Sequence, residues 1–263
     1  MKAPSRKAPI SLAPSVDLGD EAPSSRRPAS LGIPGRAAHW PADIPRTSGR
    51  APIATAQSLV VQRNEGEVIV EYTKVIEPVT AVRSTLLTSS LMSLRAHGLF
   101  ERYDALQTSP HRHKIMNLIA GEWLPMEVAY AHYEACDALG LSVDEQIAIG
   151  KDVSRRIHET FLSLIVKAAR GVGMTPWVLL PKGKAMQSRL CKGGGIRIVK
   201  VGPKAVRVEF ARLPHLAIPY VRHGLLGLYT AAIELLASNV NARIVKHEST
   251  EPTRLFVLRI DWE

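Results

Sequence analysis

The side chains in this 263-residue chain with the most chemical reach are nine histidines, two cysteines and a long run of lysines and arginines. His111 and His113 form an HxH pair, and His215 and His223 lie close in sequence, but no carboxylate or cysteine completes a metal-coordination sphere at a recognisable interval. No metal site is therefore assigned. Cys136 and Cys191 stand far apart and neither has a partner at CxxC spacing, which excludes a disulfide framework or a zinc site and leaves them as reduced, structural thiols. Cys136 lies in the helical run Tyr133 to Leu139, where a small buried hydrophobe is the usual role of cysteine. Serine, histidine and aspartate are all present, yet no GxSxG elbow or other nucleophile motif joins them, so acyl transfer has no support. No catalytic residue and no cofactor is assigned.

The strongest electrostatic feature lies between Thr160 and Val208, where there is no acidic residue and ten lysines and arginines accumulate. Lys182, Lys184, Arg189, Lys192, Arg197, Lys200 and Arg207 are the candidates for binding an anion or an acidic partner, because such a field concentrates negative groups. The competing reading is a solvated face whose charge is compensated by acids on neighbouring helices, such as Asp144, Glu145 and Glu159. Lys182-Gly183-Lys184 and Lys192-Gly193-Gly194-Gly195 resemble phosphate loops in composition only. A phosphate loop joins a strand to a helix, whereas this triple glycine precedes a strand and reads as a flexible lead into a hairpin. The net charge is +10 and aromatic residues make up 5% of the chain. With so few stacking platforms, nonspecific electrostatic affinity is all that follows for nucleic acid.

The elements that must position these groups begin near residue 65. Residues 1–64 carry nine of the eighteen prolines, many serines and alanines and no periodic apolar run, so burial there cannot offset chain entropy and a disordered basic tail is expected. It lacks the apolar stretch of a secretory signal, Asp17, Asp20 and Glu21 argue against a transit peptide, and no run is long enough to span a membrane. The expected location is cytoplasmic.

Residues 65–263 read as a single α+β domain. Glu67 to Thr73 alternates as a short strand, and Val79 to Leu94 reads as a helix ended by Gly98. Helices are expected over Leu99 to Leu106, His113 to Ala120 and Pro125 to Leu139, the last closed by Gly140. Ser142 and Glu145 form a capping box for a long helix with an apolar stripe at Val143, Ile147, Gly150, Val153, Ile157, Phe161, Leu164, Ile165 and Ala168, which Gly171 and Gly173 end. Met174 to Leu190 is helical or mixed. Ile196 to Lys200 and Ala205 to Phe210 form a hairpin whose strands alternate apolar with charged residues, as a sheet buried on one face should. The last fifty residues read as a proline-entered, glycine-notched helix ending near Ala237, followed by strands over Asn241 to His247 and Arg254 to Trp262. The sum is several helices packed on an antiparallel sheet of about four strands.

From Val79 to Trp262 the chain resembles a protein family expanded in myxobacteria. The residues that carry the likeness are Ser93-Leu94-Arg95-Ala96-His97-Gly98-Leu99, Trp123-Leu124-Pro125, Ala135 to Gly140, Gly150, Pro219-Tyr220 with Gly224, and Ile260-Asp261-Trp262. That family is similar in turn to the fold shared by haem nitric-oxide-binding domains, vinyl-reductase-like domains and small vesicle-tethering subunits. There, helices pack on an antiparallel sheet around an apolar ligand pocket. The resemblance implies a sensor or scaffold rather than a defined reaction. The YxSxR sequence of the haem-binding members and the C-terminal cysteine cluster of the vinyl-reductase-like domains are missing here.

The expected function is a noncatalytic small-molecule-binding or sensory module. Its pocket would lie between the long and late helices, lined by Ile157, His158, Phe161, Tyr220 and Leu226, with Arg197 or Arg207 near an anionic head group. His158 is either a haem ligand or polar anchor there, or an ordinary helical histidine. The alternative is an interaction scaffold, with homodimerisation through the helices as an option, whose basic tail and hairpin recruit an acidic protein or nucleic acid.

Overall fold

The computed structural model describes residues 54–55, 66–161, 175–247 and 255–263, with only the backbone described for 54–55 and 158–161. Along the chain run β1 Ala54–Thr55, β2 Glu67–Val70, β3 Val75–Ile76, β4 Ala81–Arg83, α1 Ser84–Ala96, α2 Phe100–Leu106 and α3 Arg112–Met116. Then follow β5 Trp123–Pro125, α4 Met126–Asp137, α5 Val143–Phe161, α6 Gly183–Leu190, β6 Cys191–Lys192, β7 Gly195–Gly202 and β8 Ala205–Ala211. A 3-10 turn over Pro214–Ala217 leads into α7 Pro219–Glu234, and β9 Asn241–His247 and β10 Leu255–Asp261 close the fold.

The main sheet has five strands in the order β2-β7-β8-β10-β9, one more than the expected four, and every pairing is antiparallel. Its inner face is an aliphatic and aromatic layer of Ile196, Ile198, Val206, Val208, Phe210, Phe256, Leu258 and Ile260, all buried against the helices. Simple alternation predicts a solvated outer face, but Glu209 on that face is 0% exposed. The reason is a cover built from distant sequence: Tyr72 and Ile76 pack on Ala211, and Arg197 and Arg207 lie over the Glu209 carboxylate. β1 and β3 pair in a small two-stranded sheet at this cover, so Ala54–Thr55 belong to the fold although they fall within the expected tail.

Two other boundaries differ from expectation. Val79 to Arg83 is not helical. β4 pairs with both β5 and β6, which suits the β-branched Val79, Thr80 and Val82, and α1 begins only at Ser84. α3 stops at Met116 rather than Ala120, where the Asn117 side chain donates to the His113 carbonyl at 2.9 Å and terminates the turn. The capping box forms as expected: the Glu145 carboxylate accepts from the Ser142 amide at 2.8 Å, and the Glu145 amide donates to the Ser142 hydroxyl at 3.3 Å. The stripe residues Leu164, Ile165 and Ala168 and the terminating Gly171 and Gly173 lie outside the described residues.

α5 and α7 pack at unusually short range because glycines meet backbone where they cross. A Cβ on Gly150 would run into the Gly224 carbonyl, and one on Gly227 would run into the carbonyl of Ile147. Around this crossing the Ser154 hydroxyl donates to the Leu228 carbonyl at 2.8 Å, and His223 Nδ1 meets Gln146 Oε1 at 2.8 Å. Gly224 itself has open space where a Cβ would stand. Gly150→Ala should therefore cost about 2 kcal/mol by overpacking, a fall in Tm of roughly 4–8 °C, while Gly224→Ala should be neutral or stabilising because it removes helical glycine. Thermal unfolding of the two variants beside the parent checks this contrast.

Candidate functional site

A cavity of about 140 Å³ opens where the helices meet the inner face of the sheet. Leu86 and Ser90 of α1, Tyr133 of α4, Ile149, Gly150 and Val153 of α5, and Met186 of α6 form one side. Phe210 of β8, His215 of the 3-10 turn, and Tyr220, Gly224, Leu228 and Tyr229 of α7 form the other. The glycine crossing thus contributes directly to the wall. A smaller cavity of about 80 Å³ adjoins it, and Met186, Leu228 and Tyr229 line both.

A chain of buried polar groups runs from the back of this cavity into α2. The Gln107 amide nitrogen donates to the Ala131 carbonyl and the Tyr103 hydroxyl, each at 3.1 Å, which fixes the amide orientation. Tyr103 then has its own proton to give to His132 Nδ1 at 2.7 Å. His132 is 0% exposed, and burial pushes its pKa down to about 3, so the ring is neutral and carries its proton on Nε2. That proton points to Ser90 Oγ at 3.0 Å, and Ser90 in turn lies 3.2 Å from the Tyr220 hydroxyl. The Cys136 sulfur lies 3.7 Å from His132 Nε2, and burial pushes its thiol up to about 12.

A serine within reach of a histidine invites comparison with a nucleophile and its base. Here the imidazole is too weak a base for that role, because burial disfavours its charged form so strongly. Cys191 borders the cavity and burial raises it to about 12 as well, so neither thiol is a thiolate nucleophile near neutrality. The chain of hydroxyls and imidazole reads as a satisfied network that fixes Tyr220 and Ser90 at the cavity wall.

His215 differs from His132. It lines the cavity, is 6% exposed, and its Nδ1 has no hydrogen-bond partner among the described residues. Its ring stacks on Tyr133 at 6.0 Å and 26°. Burial lowers its pKa to about 4, which keeps it neutral. The turn that carries it is clamped to α7 by Arg222, which donates to the carbonyls of Leu216 and Ala217 at 2.9 and 2.8 Å.

Of the residues expected to line a pocket, Tyr220 lies in the cavity wall, while Ile157 and Leu226 are buried in the surrounding core and outside the lining. The side chains of His158 and Phe161 lie outside the described residues. Sequence reasoning missed Ser90, Tyr133 and His215 as wall residues. Gly224 was legible as a notch of the late helix and Gly150 as a stripe position of the long helix, and both line the cavity.

Among the basic candidates, Arg197 and Arg207 are brought together, and the centre between them is the Glu209 carboxylate, at 3.3 and 2.8 Å. Arg197 also reaches Glu71 at 3.2 Å, and Lys200 reaches Glu67 at 3.7 Å while lying over the Trp177 ring. Among the described residues the compensating acids come from β2, its following loop and β8, and the Glu159 side chain lies outside the described residues. Lys192 sits over the Trp123 ring beside Arg83, Lys182 borders the smaller cavity, and Lys184 and Arg189 are exposed on α6. Among the described residues no cluster of histidine, cysteine and carboxylate side chains could hold a metal ion, and no helix is long and apolar enough to cross a membrane.

No protein-family model and no curated protein matches the chain. Solved structures do. The unliganded Fe(II) H-NOX protein from K. algicida matches with a TM-score of 0.51 at 12% identity, covering 69% of this chain and 96% of its own. The fold is H-NOX-like. An H-NOX structure from work on haem distortion gives 0.51 at 12% identity over 69% of this chain and 95% of that one, and one from work on H-NOX activation gives 0.50 at 12% over 69% and 96%. The expected distant likeness to haem nitric-oxide-binding domains thus holds at the level of the H-NOX-like fold.

The two buried neutral histidines make stability depend on pH. Their folded pKa values, about 3 for His132 and about 4 for His215, lie below the unfolded value of about 6.5, so the unfolded chain binds more protons as pH falls. Their contribution is complete above about pH 6.5 and is lost on acidification, at up to about 1.4 kcal/mol per pH unit for each ring. Urea midpoints at pH 7.5, 6.0 and 5.0 should fall for the parent, and fall less steeply for His215→Phe.

Proposed function

We propose that this chain carries a sensory or regulatory domain that holds a small, neutral, apolar molecule in the cavity between α5, α7 and the sheet, Tyr220 among its walls. The observation that carries the reading is the cavity itself. Its volume of about 140 Å³ is close to the engineered apolar cavity of about 150 Å³ that stays dry and admits benzene, and well-packed interiors rarely leave such a space. An occupant would touch Gly150 and Gly224 where the helices cross. Binding would therefore act on the α5–α7 packing, which supplies a route from ligand to conformation. Burial leaves His132 too weak a base and Cys136 and Cys191 without thiolate character near neutrality, which favours a noncatalytic role.

Haem, the group named for the H-NOX structures, does not fit these residues. His215 offers a donor type that binds haem iron. A macrocycle of four pyrrole rings nevertheless far exceeds a cavity that matches one benzene ring. No lysine or arginine lines the wall to pair with propionates. No step is therefore routed through haem.

The reading predicts that toluene at millimolar concentration raises the Tm of the full chain, since a ligand of the folded state stabilises it by mass action. Gly224→Leu, which extends a side chain from the one crossing glycine with open space at its Cβ, should abolish the shift while remaining folded. A parent protein that neither gains Tm with toluene nor shows a discrete mass excess in native mass spectrometry would sink the proposal.

A further inference from the structure

The smaller cavity lies against the larger one, and three residues belong to both walls: Met186 of α6 with Leu228 and Tyr229 of α7. Leu179, Leu180, Ile198, Ala232 and Ile233 line the smaller space and not the larger. Its volume of about 80 Å³ is roughly half of the apolar space that admits one benzene ring, which corresponds to about three further carbon atoms. Lys182 is the one charged residue among the described residues of its lining, and it is exposed. An exposed lysine covers apolar surface with its stem and keeps its ammonium in water.

The three shared residues are not held equally. Tyr229 meets the Phe210 ring edge-on at 5.2 Å, and the Leu228 carbonyl accepts from the Ser154 hydroxyl at 2.8 Å. Both sit on α7, whose crossing with α5 is backbone against backbone. Met186 stands on an eight-residue helix in which only Leu190 is buried. An unbranched thioether with three rotatable bonds on such a helix is the side chain best able to give way to a guest.

We infer that the two cavities are compartments of one site, joined when Met186 turns aside, and that the site selects a single ring bearing a short linear apolar chain over a bare ring. This rests on the cavity reading above and names its ligand class. The ring occupies the larger compartment, where Tyr133, Phe210 and Tyr220 offer aromatic surface. The chain passes beside Met186 and ends against Ile198 and Ile233. Met186 is thereby the residue that sets specificity, because it stands where the chain must leave the ring's compartment.

The test is calorimetry of toluene, ethylbenzene, n-propylbenzene and n-butylbenzene on the full chain and on Ala232→Phe, which fills the smaller compartment from a position outside the larger one's wall. On the parent, affinity should rise about fourfold with each added carbon. In Ala232→Phe the toluene Kd should be unchanged and the gain along the series lost. In the parent, the terminal methyl of n-butylbenzene should give intermolecular NOEs to the Ile198 and Ile233 methyl groups, which toluene does not, a readout that does not require the variant to fold. If toluene binds but n-butylbenzene shows no NOE to either isoleucine, the joined site is overturned and the larger cavity stands alone. A gain that survives in folded Ala232→Phe overturns it as well. Failure of the whole series on the parent overturns the cavity reading and this inference together.

Discussion

The close crossing of α5 and α7 is the constraint on which the rest of this structure depends. Gly150 and Gly227 let backbone meet backbone, and a methyl group at either would drive the helices apart. That proximity does two things at once. It brings Tyr220, Gly224 and Leu228 over the inner face of the sheet, and it leaves a thin place in the wall where side-chain volume is missing. A cavity arises there because the residues that permit the approach are the ones least able to fill the space beside it.

Around that space several polar groups are tied into one hydrogen-bonded run. The run from Gln107 through Tyr103, His132 and Ser90 to Tyr220 is ordered by proton supply, each donor finding an acceptor in a low-dielectric interior. Such a network specifies one arrangement of α1, α2, α4 and α7, since a half-satisfied version would be costly. His215 stands outside it, on a short turn that Arg222 ties to α7. The fold therefore presents a largely apolar chamber with the His215 imidazole in its wall.

The outer face of the sheet shows how local charge misleads. From Thr160 to Val208 the chain is wholly cationic in its charged residues, yet Arg197 and Arg207 spend much of their charge on Glu209, one residue beyond the run. Glu209 is buried with its partners in place, where removing one would leave a charge stranded. Glu67 and Glu71, more than a hundred positions earlier, complete the compensation because β2 pairs with β7.

Local chemistry was legible in the sequence by itself. The capping box at Ser142, the periodicity of α5, the alternation of β7 to β10 and the glycine notch of α7 all depend on near neighbours, and they yield the α+β class and the place of the helices. Tertiary structure alone decided what those elements meet. The extended conformation of Val82 exists because β5 and β6 flank it, and the burial of Glu209 exists because Tyr72 and two arginines cover it. The place of His215 in the cavity wall, stacked on Tyr133, is visible only in the assembled fold. Hydrogen-bond satisfaction and cavity volume are properties of groups far apart in the chain, and no local pattern encodes them.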